Sequence, residues 1–282
     1  LSAWWIIRAL GLLLLWLNLT AATRVVLPIE IRKGPIVVRA EKGMDSLASR
    51  VAAAAPGFLA DNATDLPGLD IPPRNEIRLV HRSSSLPLVA PPGRGAPSWA
   101  SGVAYSDQGV VIVAHANGTQ LNDVLSVTSH ELSHLALGAA LHGRAPRWLN
   151  EGFAYLHSSD WSAARMETLT GLAWSGNTIP LAVLNSSFPA QEIEVHKAYA
   201  QSYDMVAFLA RRGRYADKKD DGDPWPFRGF LAGIAAGETV EDAALQAYGV
   251  SLYDLYEEWY QDLRRRSVLV PGSLCGRGVG GF

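Results

Sequence analysis

Cysteine is nearly missing from this chain. Cys275 is the single one, and it falls in the glycine-rich tail 272–282, so no intrachain disulfide can form. Charge of one sign is missing too. Lys and Arg number 25 against 27 Asp and Glu, a formal net charge of −2. The only basic block is Arg264-Arg265-Arg266, which suits a helix end better than a phosphate track. Without a large positive field the chain is not read as a nucleic-acid partner. There is no G-x-S-x-G, no phosphate-binding glycine loop, no setting for a catalytic cysteine and no internal repeat. The acidic stretch Asp217–Asp223 fails as a calcium loop. Placing Gly222 at the sixth position puts Lys219 at the third and Arg228 at the twelfth, where oxygen ligands are required.

Hydrophobic residues make up 48% of the 282, enough for a full core. At the N-terminus, Arg8 precedes the apolar run Ala9–Leu17 and the small residues Thr20-Ala21-Ala22. That order describes a secretory signal peptide over 1–22, or an uncleaved anchor, since Ala3–Leu19 approaches the shortest bilayer span. Either reading places the rest outside the cytoplasm: periplasmic, extracellular or membrane-anchored. Asn62, Asn117 and Asn185 begin glycosylation sequons, meaningful only in a eukaryotic secretory host.

The remaining chain reads as one domain over 23–266, mixed α/β to residue 120 and helical over 121–266, before a flexible tail 267–282. Strands are expected at Ile36–Ala40, Glu76–His81 and Gly109–His115, and a helix near Met44–Ala60. Prolines 87, 91, 92 and 97 mark a surface loop. From Leu121 the apolar period changes to that of a helix ending near His142-Gly143. Further helices are expected at Trp148–His157, Ala198–Arg212, Glu238–Tyr248 and Ser251–Arg266.

The helix that begins at Leu121 carries His130-Glu131-Leu132-Ser133-His134. Residues four apart share a helical face, so both imidazoles can bind one metal ion while Glu131 stands beside it as a general base. A structural site needs four protein ligands, but a catalytic one needs three and an open position. Glu151 is the third candidate. It follows the break at 143–146, where a turn and a second antiparallel helix would return its carboxylate to the histidines. Its apolar surroundings argue against an unpaired charge there.

These segments resemble the gluzincin peptidases, specifically the peptidase-MA-like family, with H-E-L-x-H on one helix and P-x-W-L-x-E-G-x-A on the next, here Pro146–Ala154. The resemblance runs from about Ile36 to Arg266 and implies a zincin-like α+β fold with a catalytic Zn2+ acting on a peptide or protein substrate. It makes His130, His134 and Glu151 the zinc ligands, and Glu131 the base that takes a proton from zinc-activated water and returns it to the leaving amine. Tyr199, in a segment similar to the family's tyrosine-bearing helix, is the candidate oxyanion donor, with Tyr203 in reserve. Zincins place an edge strand beside the cleft, and Gly109–His115 is the strand expected there, able to pair with an extended peptide.

Two departures stand out. Some gluzincins carry an Asp four residues after the glutamate ligand, orienting a zinc-bound histidine; here that position is Tyr155. Asp160 or a backbone carbonyl is then the expected substitute. No G-x-M-E-N stretch is present, which favours an endopeptidase over an aminopeptidase. The competing expectation is a non-catalytic exported scaffold that keeps the fold.

Overall fold

The computed structural model describes residues 25–66, 75–116, 120–158, 163–186, 192–216 and 226–268. The N-terminal segment 1–22, Asn117, Asp160, the acidic loop 217–223 and the cysteine-bearing tail lie outside them. No helix among the described residues is long and apolar enough to cross a membrane.

The architecture is α+β, a small N-terminal sheet followed by a mainly helical part. Strands β1 (Ile29–Lys33) and β2 (Ile36–Ala40) form a hairpin, and helix α1 (Asp45–Asp65) crosses over to β3 (Asn75–Val80). A 3-10 turn, Ser83–Leu88, precedes β4 (Gly102–Tyr105) and β5 (Val110–Ala114). The sheet order is β1-β2-β3-β5-β4. The β2–β3 and β3–β5 pairs are parallel, and the two outer pairs antiparallel.

This order corrects one expectation. The strand at Val110–Ala114 is not an edge: it lies between β3 and β4, and all five of its residues are buried. One face packs Val111 and Val113 into the main core, while Val110 and Ile112 join a smaller cluster with Leu86 and Tyr105. An unbroken apolar run is what a strand covered on both faces requires. The edge belongs to β4, whose short, half-exposed sequence Gly-Val-Ala-Tyr gives little strand signal.

Helix α2 (Leu121–Ala140) starts with the Gln120 amide donating to Asp123 Oδ2 at 2.9 Å. Its buried Val124, Leu132 and Leu135 face the core shared with the sheet and α1. After a turn through His142 and Gly143, α3 (Arg147–His157) begins behind Pro146, whose fixed φ suits a helix entry. The chain then forms α4 (Ala163–Ser175), α5 (Leu181–Ser186), α6 (Glu192–Ala216), α7 (Pro226–Ala236), α8 (Val240–Tyr248) and α9 (Leu252–Val268). Ser251 caps α9 by accepting from the Asp254 amide at 3.1 Å.

Two buried polar groups tie these helices together. Gln201 on α6 bonds the main chain of Ile179 both ways, at 2.9 and 2.8 Å. Asp204, almost fully buried, accepts from Trp259 Nε1 at 2.9 Å and from Arg266 at 2.7 Å. Helix α3 lies against α6 without a side chain at the crossing, because a Cβ on Gly152 would overlap the carbonyl of Ser202 and the Val206 side chain. Gly152→Ala should therefore force α3 off α6 and cost about 3 kcal/mol, the upper end of ordinary overpacking. Chemical denaturation of the purified protein measures this, and an unchanged midpoint would refute the tight crossing.

Candidate metal centre

Helices α2 and α3 run antiparallel and put one face of each into a common cleft. Ser129 Oγ donates to the His157 carbonyl at 3.0 Å near one end of this pair, and His134 meets Asn150 near the other. Between these contacts the polar stripe of α2 faces that of α3. His130 Nε2 and His134 Nε2 lie 3.1 Å apart. Glu151 Oε2 stands 3.9 Å from the first and 3.6 Å from the second.

This donor set fits a metal ion. One ligand atom from each residue lies within 4.8 Å of the others, and this is the one such group found among the described residues. Tetrahedral bonds of about 2.0–2.1 Å would place donors about 3.3 Å apart, close to the observed separations. Burial, the His134 imidazole and the Arg165 guanidinium hold the His130 pKa well below its ordinary value. His130 is therefore neutral, the state a metal ligand needs.

A residue not singled out in the sequence orients His134. Its Nδ1 donates to Asn150 Oδ1 at 3.0 Å, which fixes the tautomer and leaves the Nε2 lone pair facing the gap. Asn150 directly precedes Glu151, and antiparallel pairing of the two helices was the signal that could have found it. Tyr155, at the position where an Asp orients a ligand in some gluzincins, instead sets its ring edge-on to His130, centroids 4.5 Å apart.

Glu131 faces the same cleft and is only 8% exposed. Burial pushes its pKa up to about 7; His134 works against this and Glu151 adds to it. Tyr199 from α6 also lines the cleft. Burial and the Glu151 charge raise its phenol pKa, against the lowering charge and hydrogen bond of Arg147, so the hydroxyl keeps its proton near neutral pH. Tyr203, one turn further along α6, lines a different cavity beside Asp65 and His157. The structure thus gathers His130, Glu131, His134, Glu151 and Tyr199 around one cleft and puts Tyr203 elsewhere.

The cleft has a volume of 570 Å³. Its second wall is β4 with the loop before it, including Trp99, which is 82% exposed. The sequence profile described as the peptidase MA superfamily matches residues 95–265, more than half of the chain. That match takes in every residue lining the cleft and begins just before β4, leaving β1 to β3 and α1 outside. No curated protein matches the chain.

The tautomer argument makes a measurable claim. Asn150→Ala should weaken metal affinity by about 10- to 100-fold in a chelator competition titration, while Asn150→Asp should keep it near the parent value. Equal affinity in all three proteins would show that Asn150 does not orient the ligand.

Proposed function

The chain belongs to the peptidase MA superfamily, and from that premise we propose that it is a zinc-dependent endopeptidase of the gluzincin type. The observation that carries this reading is the two-imidazole, one-carboxylate donor set with a buried second carboxylate beside it in one cleft. His130 and His134 would hold the metal through Nε2, and Glu151 through Oε2. Nitrogen and carboxylate donors without thiolate suit zinc among several divalent ions, and three protein ligands leave a position open for chemistry. Zinc bound there supplies Lewis acidity, polarising a substrate carbonyl and acidifying water at the same place.

The chain's own residues do the rest. Glu131 accepts a proton from the attacking water and delivers it to the leaving amine nitrogen as the peptide C–N bond breaks. Burial raises the proton affinity of the Glu131 carboxylate, which favours accepting the proton, while a cation held by the neighbouring ligands would lower it and favour its release. The Tyr199 hydroxyl donates to the oxygen that gains charge in the tetrahedral state. Arg147 donates to the Tyr199 oxygen, which leaves the phenolic proton for the substrate. The free edge of β4 offers main-chain donors and acceptors to an extended peptide. The absence of G-x-M-E-N favours cleavage within a chain over removal of its N-terminal residue.

The peptidase is proposed to act outside the cytoplasm, on the strength of the charged, apolar and small-residue order in 1–22. Unchanged cell fractionation after deleting that segment would sink the export assignment.

Glu131→Gln should bind one zinc per chain and lose at least about 100-fold of hydrolysis on a mixed fluorogenic peptide library. His134→Ala should lose both metal and hydrolysis. Parental activity in Glu131→Gln would remove Glu131 as the base. A stable parent that takes up no zinc would favour the non-catalytic scaffold instead.

A further inference from the structure

Strand β4 comes down on helix α2 more closely than a side chain would allow. A Cβ added to Gly102 would lie 2.7 Å from Glu131 Cγ, 2.8 Å from Glu131 Oε1 and 2.8 Å from Val127 Cγ1. Val127 cannot swing away easily, because a β-branched residue in a helix is held to one χ1 rotamer. The strand is not free to lift either. Gly102 is registered against Val113, and the Ala114 amide donates to the Ser101 carbonyl at 2.8 Å. Beyond the far end of β4, Ser106 Oγ donates to the His134 carbonyl at 3.0 Å. At that end the missing side chain is the helix's, since a Cβ on Gly138 would overlap the Ser106 side chain. Strand and helix are therefore held together at two points, and the group with the most freedom between them is the Glu131 side chain.

We propose that Gly102 is a positioning residue for Glu131: its bare backbone leaves the space under the edge strand that the Glu131 carboxylate occupies. The role in hydrolysis rests on the reading of Glu131 as the base; the packing itself does not. Any side chain at this position drives the carboxylate along the cleft. The metal donors have no part in the overlap, so metal binding is spared. Because proton transfer tolerates little misplacement, a displacement of about 1 Å is enough to slow it by about 100-fold.

The test compares Gly102→Ala in the parent and in a Glu131→Ala background, with thermal unfolding, zinc content and peptide-library hydrolysis as readouts. In the parent, Gly102→Ala should lower the Tm by about 5 °C. In the Glu131→Ala background, where Cγ and the carboxylate are gone, the drop should be less than half of that. Zinc stays at one per chain while hydrolysis falls by about 100-fold. Glu131→Asp, one methylene shorter, should slow the parent but speed the Gly102→Ala variant. Equal Tm drops in the two backgrounds, or parental hydrolysis in Gly102→Ala, would overturn the proposal. If Gly102→Ala does not fold, a cooperative transition regained in the double variant supports it, and failure of both overturns it. A parent without zinc or hydrolysis would remove the proposed function, and the Tm comparison would still decide whether Gly102 makes room for Glu131.

Discussion

Helix α3 lies between two neighbours, and its closeness to each governs the cleft. Toward α6 it presents Gly152, where the backbone of Ser202 leaves no room for a Cβ. Toward α2 it presents Asn150 against His134, Tyr155 against His130 and Glu151 against both imidazoles. Gly152 lies between Glu151 and Tyr155 on the same helix, so the placement of one helix fixes both contacts. Moving α3 outward by the thickness of a methyl group would also take Tyr199 away from Arg147, because Tyr199 rides on α6 and Arg147 on α3. The glycine after Glu151 is thus part of the cleft's geometry, although its own atoms face the core.

The electrostatic consequence is a cluster of ionisable groups whose proton affinities are set by burial and by one another. Burial pushes the Glu131 pKa up to about 7, a balance in which His134 lowers it and Glu151 raises it. His130 is neutral for the same reason of burial, with Arg165 and His134 adding repulsion to its charged form. Arg147 Nε stands 3.7 Å from Glu151 Oε1, so one cationic side chain already reaches this group of two carboxyls and two imidazoles. Such groups gather where function requires them and the rest of the fold supplies the stability.

Much of this was legible in the sequence, and the misses have physical causes. His130, His134 and Glu151 could be paired because helical spacing and one turn determine the geometry. Strand β2 was readable at Ile36–Ala40, where a short apolar run meets a turn. Strands β1 and β4 were not, since Ile-Glu-Ile-Arg-Lys and Gly-Val-Ala-Tyr become strands through pairing with distant partners. The edge assignment went to Val110–Ala114 on the strength of its hydrophobicity, yet that strength was the argument for a central strand. Only a strand with neighbours on both sides and cover on both faces can place five apolar residues in succession. Asn150 escaped because an asparagine beside a ligand carries no periodic signal. Its role exists only once α2 and α3 are laid side by side.

The boundary of the family match falls between two functions of the sheet. Every side chain lining the cleft belongs to the matched stretch 95–265, including β4 and its loop. What lies before it, β1 to β3 and α1, contributes none of them. Yet β5 is bonded to β3 along its whole length, and Ala48, Val51, Ala52 and Ala55 of α1 share a core with Leu132 and Leu135 of α2. Removing that support would expose one edge of β5 and the buried face of the helix that carries His130 and Glu131. A strand with an open edge slips or pairs elsewhere, and β4 would move with it, since it is held to the sheet through β5 alone. The two walls of the cleft keep their distance because a part of the chain that never touches the cleft holds the sheet and α2 in place.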